Sequence, residues 1–396
     1  PGVELYIENS LIDGGQSSIN TQDQGTLHWG SGNITSYPVF GDTANGDYSL
    51  ADTSPCISAG ASSVTIGGTT YTAPTTDLAG NARPSPAGTM PDMGAYENSN
   101  GMASYSGDNY YVSASSNYGN GSSTYPFPAI QQGIDASSSG DTVSVAAGTY
   151  VENINFNGKN ISVIGADSSN TIIDGDSAGT VVVFSGSENS SALLKNFRIQ
   201  NGYTNPQLPI TAVGGIYCDN NANPTLVNLI ISDNSGGDDA GGIYVTPGPG
   251  DTLRISGSVI RNNNAVWGSG GLKIGGDPSA VTLLNNVHIT SNSSNSGAGI
   301  KIRTGISILD NVTITNNIAD EGGIGIPKIG GGGIDISNAT LYLLNSTVNN
   351  NSSGTNDYDN VNGGGIGAVS SILTIASSTL SGNTSSGKGG GIFSDR

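Results

Sequence analysis

GGIYVTPGPGDTLRISGSVIRNN, residues 241–263, holds two phrases whose recurrence decides the fold. The first is a glycine turn followed by apolar, any, apolar, here Gly242, Ile243, Tyr244 and Val245. The second is an apolar residue, another five places later and Asn three after that, here Ile255, Ile260 and Asn263. Outward from this stretch, the leading apolar residue of the first phrase recurs as Ile216, Ile243, Leu272, Ile300, Ile334, Ile366 and Ile392, at intervals of 27, 29, 28, 34, 32 and 26. The second phrase follows six of these. Its triples are Leu226, Ile231, Asn234; Ile255, Ile260, Asn263; Leu284, Ile289, Asn292; Leu309, Ile314, Asn317; Leu343, Val348, Asn351; and Ile375, Leu380, Asn383. In a chain rich in Asn one match means little, whereas six in register form a pattern, and periods of about 20–50 residues mark solenoids.

The alternation in LRI and LTI has period 2, which selects short strands with successive side chains on opposite faces. No single coil buries its own apolar face. Stacking coil on coil at about 4.8 Å places equivalent residues on one another and completes a core. The chain therefore reads as an all-β parallel β-helix. Asn234, Asn263, Asn292, Asn317, Asn351 and Asn383 are expected to point inward as a hydrogen-bonded ladder that satisfies buried turn backbone. The recurrent glycines serve tight corners.

Composition agrees. Among 396 residues there are 61 Gly, only 11% charged residues and 6% aromatic ones, far from the Glu, Lys and Leu richness of helical proteins. Strict G-X-Y periodicity is missing, which excludes collagen. A net charge of −19 with only 12 Lys and Arg argues against nucleic acid and anionic membranes, because phosphate binding needs clustered bases. Acidity of this kind suits an extracellular surface, with or without divalent cations. No run of 18 apolar residues is present, and PGVELYIENS lacks the form of a signal peptide. Cys56 and Cys218 make no disulfide framework.

Ahead of the regular coils, TVSVAAGTY (142–150), NINFNGKNISVIG (153–165), TIIDG (171–175) and LLKNFRIQNG (193–202) are strand-like. Phe127, Ile130 and Ile134 fall at helical spacing, which predicts a short amphipathic helix covering the open edge of the first coil.

The stretch from YYVSASSNYGNG through YPFPAIQQGIDASSSGDTVSVAAGTYVENINFNGKNISVIG resembles the entry segment of secreted right-handed parallel β-helix proteins of the pectate-lyase-like superfamily. The resemblance covers about residues 110–396. It implies the fold and leaves the activity open, because that superfamily includes lyases, hydrolases, esterases, adhesins and phage tailspikes. YPVFGDTANGDYSLADTSPCISAGA and DLAGNARPSPAGTMPDMGAYE resemble the closing segment of bacterial secreted β-helix proteins, which follows the last coil in that family. Here it comes first. The organisation reads as closing strands and cap over 1–97, a linker over 98–107, an entry segment with capping helix over 108–140, and the β-helix over 141–396.

Three explanations fit the inverted order: circular permutation, a window of a longer tandem protein, or a subunit that completes its neighbour. GGGIFSDR at the end reads as half a coil, and Ile7, Ile12 and Gly15 read as the second phrase that completes it. If Pro1 followed Arg396, the step from Ile392 to Ile7 would be 11 residues, within the 9 to 12 seen in the six complete coils. Permutation within one chain would need a link along a stack of about 50 Å, from about ten coils at about 4.8 Å each, and the linker is too short. The reading adopted is head-to-tail continuation, covalent or not, with Val3, Leu5, Ile7, Ile12, Ile392 and Phe393 at the joint.

Between the two apolar residues of the first phrase lies an outward file of Tyr217, Tyr244, Lys273, Lys301, Asp335, Gly367 and Phe393. Lys273, Lys301 and Asp335 are the candidates for a lyase-like site, in which an amine removes a proton beside Ca²⁺-binding Asp residues. A file of compensating surface charges is the simpler meaning. Tyr217, Tyr244 and Trp267 are candidate glycan-binding aromatics. Asp42, Asp47 and Asp52 are candidate Ca²⁺ ligands, as are the pairs Asp174 with Asp176, Asp238 with Asp239 and Asp357 with Asp359. Each set also reads as ordinary turn residues. His28 and His288 show no metal spacing. Cys218 and Cys56 read as small apolar residues. Asn120, Asn189, Asn311, Asn338 and Asn345 sit in glycosylation sequons, and Asn292, Asn351 and Asn383 match too but should face inward. The expectation is a non-catalytic, extracellular or cell-surface structural protein with no cofactor, Ca²⁺ being left open, partnered by its own copies and by extracellular polysaccharide as a further candidate. The alternatives are a polysaccharide lyase or hydrolase and a glycan-binding adhesin.

Overall fold

A computed structural model describes residues 3–21, 25–30, 32–35, 37–66, 68–101, 105–116, 119–204, 213–295, 297–319, 330–354 and 363–395. The chain divides into two compact units, 1–137 with 142–146, and 138–141 with 147–396.

The second unit is a parallel β-helix. Ile216 pairs with Ile243, Ile243 with Leu272, Leu272 with Ile300, Ile300 with Ile334, Ile334 with Ile366 and Ile366 with Ile392, as the recurrence of the first phrase requires. Two earlier strands, Ile154–Asn155 and Val182–Phe184, extend this sheet to nine strands among the described residues. The second phrase forms another sheet, with Leu226, Ile255, Leu284, Leu309, Leu343 and Ile375 in one file and Ile231, Ile260, Ile289, Ile314, Val348 and Leu380 in the next. A third sheet of two-residue strands, from Ser235–Gly236 to Thr384–Ser385, turns the corner. Ile216, Ile243, Leu272, Ile300, Ile334 and Ile366 are wholly buried, each burial being worth about 1.5–3 kcal/mol.

The inward asparagines are bonded to one another throughout. Asn234 Nδ2 donates to Asn263 Oδ1 at 3.0 Å, and the same bond links Asn263 to Asn292, Asn292 to Asn317, Asn317 to Asn351 and Asn351 to Asn383 at 2.9–3.0 Å. Each Oδ1 also accepts the backbone N–H of the preceding asparagine. The second amide hydrogen goes to a carbonyl of the coil before, Ile231 O for Asn263 and Ile260 O for Asn292.

One local requirement was not visible in the repeat. The residue just before each ladder asparagine is left-handed: Asp233, Asn262, Ser291, Asn316, Asn350 and Gly382 have φ of 53–62°. Only Gly, Asn and Asp adopt this conformation at small cost. A second left-handed file runs through Asn196, Asn228, Gly257, Asn286, Asn311, Asn345 and Ser377. Much of the chain's Asn therefore shapes backbone corners.

The first unit begins with a parallel strand pair, Glu4–Ile7 against Thr26–Trp29, with Leu11 bridged to Ile34. Asn33 supplies the ladder-like bonds here. Ser10 N–H donates to Asn33 Oδ1 at 3.0 Å, and Asn33 Nδ2 donates to Ile7 O at 2.9 Å. Ser10 thus holds the place expected of Gly15, and Ile7 the place expected of Ile12. Leu11, rather than Ile12, packs on the core of Ile34, Leu50, Cys56, Ile57 and Met93. With Ile7 in the second apolar position, the step from Ile392 across to it becomes shorter than any in the solenoid. The spacing argument for joining the two ends falls with it.

The acidic residues of the closing phrase hold turns. Asp77 Oδ1 accepts the N–H groups of Ala79 and Asn81, and its Oδ2 accepts that of Glu97. Glu97 takes Arg83 Nε at 2.6 Å and the N–H groups of Ser85 and Asp92. Asp92, 4% exposed, accepts from the N–H groups of Ser58 and Asn98 at 2.6 Å each. Later in the same unit, strand Asn109–Val112 pairs in parallel with Thr142–Val145. Helix Ile130–Ala136 packs on both, with Ile130 and Ile134 fully buried. Among the described residues no helix is long and apolar enough to cross a membrane.

Candidate functional site

On the outer face of the nine-stranded sheet, Tyr217, Tyr244, Lys273, Lys301, Asp335, Gly367 and Phe393 pair in a single file. The strand period puts them there, since each lies between two inward apolar residues. The rings of Tyr217 and Tyr244 stack at 5.8 Å, 20° from parallel. Lys273 Nζ sits 4.9 Å from the centre of the Tyr244 ring and 2.6 Å from Asp239 Oδ1. Tyr217 donates its hydroxyl to Asp219, and Thr246 Oγ1 donates to the same carboxylate at 3.0 Å. Trp267 is 52% exposed.

The lower half of the file differs from the expectation. Lys301 and Asp335 are 8% and 2% exposed, so they are not surface charges. Asp335 is held by Arg303 Nη2 at 2.6 Å, and Lys301 Nζ donates to Trp267 O at 3.2 Å. A buried carboxylate needs a charged donor, and Arg303, two residues beyond Lys301 on the same face, provides one through Nη2.

The electrostatics follow from these partners. Burial works to raise the Asp219 carboxyl, but the bonds from Tyr217, the Asn220 backbone and Thr246 outweigh it and leave it below the ordinary range. Burial, with the charges of Asp239 and Asp219 added, pushes the Tyr244 phenol up to about 12. The upper file is a pair of stacked phenols flanked by the Lys273–Asp239 pair, able to stack on a flat or ring-shaped ligand and to hydrogen-bond its edge. Asp219, Thr246 and Arg303 were missed in the sequence, and Asp239 was read there as a Ca²⁺ candidate beside Asp238 and not as the partner of Lys273. Asp219 and Arg303 were accessible to the alternation rule, because each stands two residues after a named outward position. Asp239 reaches its partner from the neighbouring coil.

The other candidates are dispersed. Asp42 and Asp47 face one another across the Phe40–Asp42 and Asp47–Leu50 hairpin, where Asn45 Nδ2 donates to Asp42 and Ser49 N–H to Asp47. Asp52 accepts from Asn98 Nδ2 at 3.3 Å. Asp174 is taken up by Gln200, Asn201 and the Asp176 N–H. Among the described residues no group of three or more His, Cys, Asp or Glu is placed to hold a metal ion. Asp357 and Asp359, like Pro1 and Arg396, lie outside the described residues. His288 is exposed, and His28 stacks on Tyr6 at 4.1 Å and bonds Glu4. Cys56 and Cys218 are buried free thiols. Asn189, Asn311, Asn338 and Asn345 are exposed and Asn120 half-buried, whereas Asn292 and Asn351 are buried within the ladder. Of the residues assigned to a joint, Val3 is 73% and Ile392 43% exposed, and Leu5, at 36%, lies on the open strand pair of the first unit. Ile7, Ile12 and Phe393 are half-buried.

No protein-family model matches the chain, and no curated protein does. Two crystal structures of a pectin methylesterase from Aspergillus niger are similar to it. The deglycosylated form is 16% identical, with 70% of this chain and 86% of that chain covered and a TM-score of 0.40. The penultimately deglycosylated form is 15% identical, with 70% and 87% covered and a TM-score of 0.36. Neither likeness bears on what this chain does.

Proposed function

We propose that this protein is an extracellular, non-catalytic structural solenoid that continues head to tail between copies. The observation that carries the reading is the junction inside the first unit. A stacked, ladder-bearing coil with its cap is followed, after a short linker, by the entry strand and helix of a further coil, and the two parts bond through Gly32 N–H to Asp135 Oδ2 at 3.0 Å. On this reading one fold ends and another begins within a single compact body. Strand Glu4–Ile7, paired on one side, and the coil that carries Ile372, 64% exposed, offer parallel edges for a second copy. Heterologous contacts that do not close into a ring build filaments. Electron microscopy of the purified protein should show filaments with an axial repeat of one chain, dispersed by Leu5→Lys or Ile372→Lys. Uniform single particles at all concentrations would remove the proposal.

A second reading rests on the stacked Tyr217 and Tyr244 with exposed Trp267: adhesion to extracellular polysaccharide along the sheet. Glycan-array binding abolished by Tyr244→Ala supports it, and binding indifferent to that change counts against it.

A further inference from the structure

The first unit contains a cavity of about 320 Å³ that none of the roles above uses. That volume is near the lower end for small-molecule sites, about 300–1,000 Å³. One wall comes from the capped coil, with Asn9, Ser58 and Met90, and the other from the entry segment. On the entry side the aromatic rings form a continuous surface, Tyr105 edge-on to Tyr110 at 5.5 Å and Tyr110 stacked on Phe127 at 6.3 Å. The Tyr105 hydroxyl donates to Asn109 O at 3.0 Å, so this ring offers surface and an acceptor oxygen but no free donor.

The polar lining narrows the ligand. It consists mainly of side-chain amides, Asn9, Asn120 and Gln132, with the one carboxylate of Asp135. Amides both donate and accept, which matches hydroxyl groups. Gln132 Oε1 is buried without a hydrogen-bond partner among the described residues, a cost that a ligand hydroxyl relieves once the amide turns toward it. No Lys, Arg or His lines the cavity, and Asp135 repels anions. Aromatic surface for C–H faces beside amides for hydroxyl edges is the complement of an uncharged, hydroxylated ring.

We infer that this cavity is a binding site for a neutral sugar ring of about one hexose. It is separate in residues from the Tyr217–Tyr244 face.

The test is isothermal titration calorimetry on the whole chain with glucose, galactose and mannose, and with tetramethylammonium chloride as the cationic arm. At least one sugar should bind saturably. Met90→Trp, which fills the space, and Phe127→Leu, which removes a ring while keeping an apolar side chain, should each weaken it at least tenfold, with circular dichroism unchanged. Tyr244→Ala should leave it intact. Saturable binding by none of the sugars, binding lost only in Tyr244→Ala, or binding of tetramethylammonium alone overturns the inference.

Discussion

Asn292 and Asn317 are tied by two bonds to one oxygen: Asn317 Oδ1 accepts both the Nδ2 and the backbone N–H of Asn292, each at 3.0 Å. Asn292 is 1% exposed, so no water replaces what a substitution removes. Asn292→Ala removes the acceptor of the Asn263 N–H and of one Asn263 Nδ2 hydrogen, the other keeping Ile231 O, and takes the Asn292 Nδ2 bond from the carbonyl of Ile260. A buried unsatisfied group costs about 1–3 kcal/mol, so chemical denaturation should show a loss of about 3 kcal/mol or more. Hydrogen exchange should quicken at Asn263 and Asn317 before it does at coils farther away.

The cap should weaken as the solution becomes less acidic. Burial pushes Asp92 up to about 6, while the N–H groups of Ser58 and Asn98 oppose the rise and the neighbouring Glu97 adds to it. An unfolded Asp titrates near about 3.9. The folded state therefore releases this proton later than the unfolded state does. Its contribution is complete below about pH 4 and lost as pH rises through about 6. Hydrogen exchange over residues 50–98 should report this slope, and Asp92→Asn should flatten it.

Gly133→Ala should destabilise the protein although alanine is the better helix former by about 1 kcal/mol. A Cβ at this position would meet Val143 Cγ1 at 2.7 Å and Val112 Cγ2 at 3.1 Å, and both valines are buried. Thermal unfolding of the variant should begin at lower temperature than that of the native chain.

Arg303→Ala leaves the Asp335 carboxylate, 2% exposed, without its guanidinium. Only the carboxylate side of this pair is buried, Arg303 being 32% exposed, so the loss should fall below the ~3–5 kcal/mol of a pair buried on both sides. The double variant Arg303→Ala with Asp335→Asn should recover most of that loss in urea denaturation. A single variant as stable as the native chain would show that another donor holds Asp335.

Alkaline titration followed by ultraviolet absorbance should find a late-ionising tyrosine that is missing from Tyr244→Phe, since burial and then the nearby Asp239 and Asp219 charges push Tyr244 up to about 12.

The solenoid was legible because its two phrases repeat at strand period, and that same period fixed which residue of each strand faces out. The pairing of Tyr244 with Lys273 and of Ile243 with Leu272 followed directly. Backbone handedness was hidden. Asn262 and Asn263 are the same letter, yet one is a left-handed corner and the other a ladder rung. The first unit was misregistered because Ser10, with a backbone N–H doing the work, carries no side-chain signature, and its true partner Asn33 lies a coil away. Ion pairs were illegible for a related reason: Lys273 and Asp239 are 34 residues apart, and only stacking brings them together.

From a ladder asparagine to the next leading apolar residue the chain takes 9, 9, 8, 17, 15 and 9 residues, while the eight residues leading up to each asparagine never vary. Length thus varies most at the corner after the asparagine, from 8 to 17 residues, and less between the two phrases, where the step runs from 9 to 12. Foreign peptides spliced in after Asn317 or Asn351 should therefore leave the rungs from Asn317 to Asn351 and from Asn351 to Asn383 in place, so that decoration and spine are written in different parts of each repeat.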